Sequence, residues 1–286
     1  MGNWRKLGII AAGGDLPLAL AEHCASVSAP YFVARVIPFA DEARFGAHPG
    51  ASHDLGQMGA RIEALKQAGC DAIVFVGQAP RPDFAALRFD AIGMSMLPAL
   101  AAAARHGDDA LLRALLNEHA KHGFHVVGAD EAMIELLAPA GSLGAHAPAD
   151  NARRDIERAA RVVAAMGVWD IGQAAVVCDT LVLAVEAQEG TDAMLARVAL
   201  LPLTVRGTSV ARRGVLVKRP KPGQDRRVDL PVVGVRTIEG AADAGLAGVA
   251  VEAGAALLVR REEIARVADA AGLFVYGFTA AEAGEA

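Results

Sequence analysis

Short apolar runs alternate with amphipathic segments through the first half of the chain, an order typical of strands and helices in a parallel sheet. The run DAIVFVG at residues 71–77 has almost no polar alternation, which suits a strand covered on both faces. This pattern predicts a Rossmann-like α/β domain over residues 1–138. The predicted strands are 7–11, 31–39, 71–77 and 124–128, and the predicted helices are a segment ending near 25, 56–68, 98–105, 109–121 and 130–137.

The amino-acid composition changes at residues 139–149, PAGSLGAHAPA, where enrichment in Gly, Pro, Ala and Ser predicts a linker. Beyond it, helices and strands mix without a regular alternation, so residues 150–286 are expected to form an α+β domain. The runs at 174–177 and 181–185 predict a β-hairpin whose tight turn is Asp179-Thr180. The other predicted elements are helices 150–166, 193–200, 238–244 and 262–271, strands 214–218, 232–236, 246–251, 255–259 and 273–278, and a frayed end at 279–286.

Composition narrows the class of protein. A length of 286 residues favours about two domains, and 53% hydrophobic with only 5% aromatic residues indicates an Ala/Val/Leu core. The net charge of −5 argues against a nucleic-acid binder. No apolar run approaches the roughly 18 residues of a membrane span, and the N-terminus enters a strand without a cleavable hydrophobic segment. Cys24, Cys70 and Cys178 are expected to be reduced core thiols of a cytoplasmic protein.

A glycine turn follows the first predicted strand. Gly13, Gly14 and Asp15 precede a helix with Pro17 in its first turn. Such a turn lets the backbone approach an anion at a helix N-terminus, although an ordinary tight turn explains it equally well. In open α/β sheets ligands lie beyond the carboxyl ends of strands, which adds Gly77, Gln78 and Arg81 as candidates.

Residues 169–192 concentrate polar groups around the predicted hairpin. Gly172 and Gln173 come before it. Repelling acids beside a rigid strand need a compensating ligand, cation or helix terminus; the simpler reading is that Thr191 or Asp192 caps a helix. Further on, a basic segment with Lys218, Arg219 and Lys221 would suit a pyrophosphate and its metal, or would be a solvated loop. The residues after the hairpin are Glu186, Gln188, Glu189, Gly190, Thr191 and Asp192.

Two motifs carry a resemblance. VVCDTLVLAVEAQEGTDAML at 176–195, together with RVDLP at 227–231, resembles the UDP-2,3-diacylglucosamine pyrophosphatase family of the LpxI type. The likeness extends from Lys6 to about Phe278. Enzymes of this family act in the lipid A pathway of Gram-negative bacteria, so the resemblance implies hydrolysis of a lipid-linked UDP-sugar.

The resemblance also assigns roles. It implies that Asp229 is the catalytic carboxylate, as general base, metal ligand or both, and that Gly13, Gly14 and Asp15 contact UDP. The family usually has Asn where this chain has Gln78. Water would attack the sugar-side phosphorus, releasing UMP and 2,3-diacylglucosamine 1-phosphate. The inventory of groups suits Mg²⁺, which needs only one or two protein carboxylates. Asp192 is the second candidate metal ligand.

Other chemistries lack their motifs. The chain contains no G-x-x-x-x-G-K-[ST], no G-x-S-x-G and no H-E-x-x-H. His119, His122 and His125 recur every third residue, but solvated histidines near a helix end explain them better than a metal site. Two rivals stay open: an NAD(P)-dependent oxidoreductase, which lacks G-x-G-x-x-G, and a non-catalytic nucleotide or lipid binder.

The resemblance implies a diacylated substrate, and therefore an apolar cavity for two acyl chains and a protein that works beside the inner membrane of a Gram-negative bacterium. That contact is expected to be peripheral, since neither a span nor a basic amphipathic helix is visible in the sequence. A homodimer is plausible, although no particular residue argues for it.

Overall fold

The structure, a computed structural model, describes residues 3–80, 83, 86–105, 107–222, 227 and 230–284. Contacts between residues divide the chain into two compact units. The first comprises Met1–Ile134 and a short segment that includes Arg227, and the second comprises Glu135–Gln224 and Leu230–Ala286. Within the described residues, no helix combines the length and apolar character that a membrane span requires.

The first unit is built on a five-stranded parallel sheet with the order β3-β2-β1-β4-β5. The parallel Rossmann-like sheet predicted from the sequence is therefore confirmed. All five residues of β1 are buried, as expected for a parallel strand covered on both faces. The elements are β1 (Leu7–Ala11), α1 (Leu16–Ser26), β2 (Tyr31–Ile37), β3 (Gly50–Asp54), α2 (Met58–Gln67), β4 (Ala72–Val76), α3 (Ala91–Ala103), α4 (Asp108–Lys121), β5 (His125–Val126) and α5 (Ala129–Ala132).

The second unit contains a six-stranded mixed sheet and a separate pair of parallel strands, which confirms the α+β prediction. The large sheet has the order β6-β13-β11-β9-β7-β8, with β13, β11 and β9 parallel and the outer pairings antiparallel. The elements are β6 (Gly141–Leu143), α6 (Asp150–Gly167), β7 (Ala174–Cys178), β8 (Leu181–Val185), α7 (Gly190–Ala199), β9 (Val215–Lys218), β10 (Val232–Val233), α8 (Val235–Asp243), β11 (Gly248–Glu252), β12 (Leu257–Leu258), α9 (Arg261–Ala271) and β13 (Phe274–Phe278).

Each face of the second unit's sheet has its own core. One face packs against α7, α8 and α9 through residues such as Val176, Leu216 and Val249. On the other face, Val177, Val217 and Phe278 pack against α6. Successive side chains of a strand point to opposite faces of the sheet, so each central strand contributes to both apolar layers. Its sequence is therefore a continuous apolar run.

The predicted hairpin is confirmed, and a buried carboxylate holds its turn. Asp179 and Thr180 both have positive φ, as a primed two-residue turn requires. Asp155 of α6, only 1% exposed, accepts the Asp179 N–H at 3.0 Å and the Thr180 N–H at 2.7 Å. Burial raises the pKa of the Asp155 carboxyl, while these two backbone donors oppose the shift. A helix residue thus stabilises a turn that lacks glycine.

Three segments differ from their sequence-based predictions. The glycine-rich segment predicted as a linker contains β6, which pairs with β13 because Gly277 leaves room for the close Pro139 carbonyl. Strand β3 was not predicted, because its sequence GASHD is polar. The expected frayed end is wrong for the described residues 279–284: Glu282 accepts hydrogen bonds from Tyr276 and Thr279, and Ala283 is fully buried.

Several helix and strand boundaries also differ from those predicted from the sequence. Helix α3 starts before Pro98 and contains it. The predicted strand at 232–236 is only β10, because α8 begins at Val235 with Gly234 as its N-cap. The predicted strand at 255–259 is reduced to β12. The predicted helix at 130–137 is α5 followed by a short 3-10 turn.

The prediction that His119 is solvated is wrong. Its side chain is fully buried against the edge of Phe75, and this burial lowers its pKa to about 4, so the imidazole is neutral.

All three cysteines are free and buried, as predicted.

Candidate active site

The strand order of the first unit reverses between β1 and β4, which makes their carboxyl ends a topological switch point. Beyond these ends, Gly13 and Gln78 exchange backbone hydrogen bonds of 2.9 and 2.8 Å. Gly77, which directly precedes Gln78, has a φ of +102°. A Cβ added at Gly77 would lie 2.6 Å from the Gly13 oxygen and 2.8 Å from Pro17 Cγ. Only glycine fits this position, so the backbone itself shapes the crevice.

The opening of α1 completes the crevice. Gly14 has a φ of +90°, and nothing lies within 4 Å of the position of an added Cβ, so this side of the turn is open. Asp15 does not cap α1 with its side chain, which leaves the first amides of the helix without that partner. Open backbone at a helix N-terminus suits a phosphate.

A cation that sequence reasoning missed stands beside this turn. Arg44, in a short 3-10 helix (Glu42–Phe45) after β2, pairs with Asp15 Oδ1 at 2.6 Å and donates to the Gly14 carbonyl at 3.4 Å. Nothing in the local sequence marks Arg44, since it reaches the turn only through the fold. The structure therefore brings together Gly13, Gly14, Asp15, Gly77 and Gln78, while Arg81 lies outside the described residues.

In the second unit, one edge of the large sheet collects polar groups from four strands. The carboxyl ends of β8, β9 and β11 meet the start of β7 there, because β7 runs antiparallel to β8 and β9. This polar edge consists of Gly172, Gln173, Glu186, Thr191, Lys218, Arg219 and Glu252, together with Asp170 and Lys221.

A hydrogen-bonded relay runs through the polar edge. Lys218 Nζ donates to Thr191 Oγ1 at 2.8 Å, and the threonine hydroxyl donates to Glu186 Oε1 at 2.5 Å. Lys218 and Glu186 are only 5% and 6% exposed. The hydroxyl therefore joins the buried amine of Lys218 to the buried carboxylate of Glu186.

Gly172 and Gln173 support the carboxylate of the relay. An added Cβ at Gly172 would lie 2.2 Å from the Glu186 carbonyl oxygen, so glycine is required there. The Gln173 N–H donates to Glu186 Oε2 at 3.3 Å. In the part of the chain that the structure describes, the buried Oε1 of Gln173 has no hydrogen-bond partner.

Two ion pairs flank the relay. Arg219 pairs with Glu252 at 2.9 Å, and Lys221 pairs with Asp170 at 2.5 Å. Sequence reasoning did not select Glu252 or Asp170, because their partners are distant along the chain. The polar edge thus carries three basic residues close to carboxylates that fix their positions.

The structure separates Asp192 from the relay. Asp192 pairs with Arg236 of α8 at 2.7 Å and lines a groove of about 290 Å³ between α7 and α8. Gly190 begins α7 with a φ of +78°. Although Thr191 and Asp192 are adjacent in sequence, Thr191 therefore belongs to the relay and Asp192 belongs to the α7–α8 groove.

A metal centre is not formed by the described residues alone. Among them, no group of three or more His, Cys, Asp or Glu side chains is arranged to hold an ion. Both carboxylate oxygens of Glu186 already accept hydrogen bonds, and Asp192 is paired with Arg236. The predicted ligand and catalytic residue Asp229 lies outside the described residues.

The fold and these two sites define a two-unit α/β protein, with a backbone crevice at a switch point and a separate charged sheet edge. Two family models match it: the LpxI N-terminal domain over residues 6–136 and the LpxI C-terminal domain over residues 139–276. The chain belongs to the LpxI family.

A curated relative, UDP-2,3-diacylglucosamine pyrophosphatase LpxI of Caulobacter vibrioides, is 52% identical over 273 residues, which cover 96% of this chain and 97% of that protein. A solved structure, N5-carboxyaminoimidazole synthase from Aspergillus clavatus with ADP and an aminoimidazole ribonucleotide, is 14% identical over 66% of this chain and 42% of that one. Its TM-score of 0.26 is too low to support any argument about this chain.

Proposed function

We propose that this protein hydrolyses the pyrophosphate bond of UDP-2,3-diacylglucosamine in lipid A biosynthesis, releasing UMP and 2,3-diacylglucosamine 1-phosphate. The observation that carries the proposal is the 52% identity, over nearly the whole of both chains, to a relative of that name. The two sites fit the substrate chemistry, since one suits a nucleotide and the other suits a phosphate with developing charge.

The first unit binds the nucleotide. Its crevice offers open backbone at Gly14, the N-terminus of α1 and the guanidinium of Arg44, and these groups together favour a phosphate anion. Gly77 and Gln78 form the opposite wall of the same crevice. The crevice lies where α/β sheets usually bind ligands.

The second unit supplies charge for the reaction. Lys218, held by Thr191 and by the Val232 carbonyl at 3.1 Å, is positioned before any substrate arrives. Preorganised cations stabilise negative charge that grows on phosphate oxygens during hydrolysis. Lys221 and Arg219 add two further basic groups to the same polar edge.

Asp229 is the proposed catalytic carboxylate. It orients or deprotonates the water that attacks the sugar-side phosphorus, and the bond from that phosphorus to the bridging oxygen breaks to release UMP. Bound Mg²⁺ would neutralise non-bridging phosphate oxygens, with Asp229 as the proposed ligand. Peripheral contact with the inner membrane from the cytoplasmic side and a homodimer complete the proposal.

A product assay in ¹⁸O-labelled water tests this function on the intact chain. We expect UMP release from UDP-2,3-diacylglucosamine, with the label in the lipid phosphate, and loss of activity when EDTA replaces Mg²⁺. UDP-N-acetylglucosamine, which lacks the acyl chains, serves as the matched control substrate. Absence of UMP would refute the activity, label in UMP would refute the point of attack, and full activity in EDTA would refute the Mg²⁺ requirement.

A further inference from the structure

An exposed apolar turn follows α6 in the second unit. Val168, Trp169 and Ile171 are 70%, 80% and 44% exposed. The turn is ordered, since Trp169 N–H donates to the Met166 carbonyl and Asp170 N–H donates to the Gly167 carbonyl, both at 3.1 Å. Its apolar side chains are therefore presented to the surroundings by a fixed backbone. We name residues 168–171 the apolar turn.

The exposed side of α6 that leads to this turn is basic. Arg154, Arg158 and Arg161 are exposed at positions i, i+4 and i+7, so they lie along one side of the helix. We name these three residues the arginine face. Arg161 pairs with Glu157 at 3.2 Å, whereas Arg154 and Arg158 form no ion pair within the described part of the chain. A basic amphipathic helix is thus present, although the sequence did not reveal it.

This surface adjoins the polar edge. Gly167 packs so closely on the loop after β9 that an added Cβ would lie 2.8 Å from Pro222 Cδ. Within the apolar turn, Asp170 pairs with Lys221 at 2.5 Å. The turn therefore sits next to the basic loop that follows Lys218, and anything that binds the turn comes close to that loop.

We infer that the arginine face and the apolar turn dock the protein on the surface of an anionic lipid bilayer. Tryptophan prefers the interface between headgroups and acyl chains, and basic side chains are attracted to anionic lipids. A helix with one apolar side in its own core and arginines outside, ending in an exposed tryptophan, matches both preferences.

Charge favours a bilayer over a second copy of the chain. In a two-fold dimer built on this surface, each arginine face would oppose its own copy, and like charges would repel. An anionic bilayer instead neutralises the arginines while it buries the tryptophan. The inference rests on the proposed function for its purpose, because docking would bring the polar edge close to a substrate that carries acyl chains.

Vesicle binding in the absence of substrate tests the docking surface. We expect the full chain to sediment with vesicles of phosphatidylglycerol and phosphatidylethanolamine, but not with phosphatidylcholine alone. Trp169→Ser should weaken binding roughly tenfold, because one large apolar side chain is lost from the interface. The double variant Arg154→Gln/Arg158→Gln should weaken it roughly 30-fold, since each basic residue near an anionic surface contributes about 1 kcal/mol.

Matched controls exclude a general effect of surface substitution. Val210→Ser removes a side chain that is 94% exposed elsewhere in the second unit, and Arg266→Gln removes an exposed arginine of α9; both should bind like wild type. In a Trp4→Phe background, the emission of Trp169 should shift to shorter wavelength on anionic vesicles. Wild-type binding by Trp169→Ser, equal binding to neutral vesicles, or self-association that Trp169→Ser abolishes would overturn the inference.

Activity separates this inference from the proposed function. With substrate dispersed in detergent, Trp169→Ser should release UMP at the wild-type rate, whereas with substrate in anionic vesicles it should be slower. If wild type releases no UMP in detergent, the proposed function fails while vesicle binding still decides the docking surface. Equal loss of rate in both media would overturn the docking role.

Discussion

The candidate site of the first unit is formed by backbone atoms, whereas the candidate site of the second unit is formed by side chains. In the first unit the crevice is shaped by backbone, with glycines at 13, 14 and 77 and an exchange of hydrogen bonds between Gly13 and Gln78. In the second unit the polar edge is made of side chains, and its centre is the relay from Lys218 through Thr191 to Glu186. The first site should therefore fail through steric change and the second through loss of a hydrogen bond or charge.

Gly77→Ala should give the largest effect on stability. The new Cβ would meet the Gly13 oxygen at 2.6 Å and Pro17 Cγ at 2.8 Å in a left-handed conformation. Conformational strain and overpacking each cost about 1–3 kcal/mol, so we expect roughly 2–6 kcal/mol less stability. Urea unfolding and titration with UDP measure the loss of stability and of nucleotide affinity.

Gly14→Ala is the matched control for that substitution. Its φ is also positive, but nothing lies within 4 Å of the added Cβ, so only the strain of about 1–3 kcal/mol remains. Equal effects of the two substitutions would show that close approach at Gly77 is unimportant.

Thr191→Val tests the relay of the second unit. Valine keeps the shape but removes the hydroxyl, so buried Glu186 and Lys218 each lose a hydrogen bond. We expect about 1–3 kcal/mol less stability and slower UMP release. Thr191→Ser keeps the hydroxyl and should retain most of both. If valine and serine behave alike in urea unfolding and in the UMP assay, the hydroxyl does not connect the two charges.

Asp71→Asn tests a carboxylate of the first unit that lies away from the crevice. Burial alone would raise the pKa of Asp71, but the Lys6 and Arg5 backbone N–H groups and the Arg5 guanidinium together lower it to about 2. Because the folded-state pKa is lowered, Asp71 stabilises the unit above its ordinary value of 3.8, and this stabilisation is lost as pH falls towards 2.

The substitution should therefore cost roughly 1 kcal/mol at neutral pH, because solvent screens part of the interaction at this shallow position. The difference from wild type should shrink between pH 3.8 and about 2, as urea unfolding across that range would show. Asp54→Asn, at an exposed position, is the control and should change stability by about 0.5 kcal/mol or less. A difference that stays constant through this range would contradict the lowered pKa.

Arg44→Gln should give the smallest effect. Arg44 is 36% exposed, and exposed charge pairs contribute about 0.3–1 kcal/mol, so UDP should bind roughly two- to fivefold more weakly. Urea unfolding should be unchanged. The loss should diminish in high salt, because salt screens exposed charges. Lys66→Gln on α2 is the control, and an equal loss there would remove Arg44 from the site.

The sequence predicted the parts of this molecule that depend on local pattern. Strands β1 and β4 and the hairpin of β7 and β8 follow from apolar runs with turn residues between them. Strand β3 did not follow, because GASHD pairs with β2 through its backbone and needs no apolar alternation. Strand β6 was hidden in a glycine-rich segment that pairs only when β13 is in place.

The residues of the candidate sites also divide into those that the sequence makes visible and those that only the fold brings together. Gly14 and Gly77 are visible in the sequence, since left-handed turns after strands require that residue type. Arg44, Asp155 and Glu252 could not be selected, because each meets its partner only after distant segments fold together. Adjacent residues were also misleading: Thr191 joins the relay, while Asp192 turns to Arg236.

The most direct test compares substrate affinity with turnover in Asp229→Ala. A backbone crevice that binds and a separate catalytic carboxylate predict a Kd for UDP-2,3-diacylglucosamine close to wild type, with UMP release slower by about 10²–10⁴-fold. Asp243→Ala on α8 is the control and should match wild type in both. UMP release by Asp229→Ala at nearly the wild-type rate would contradict the account.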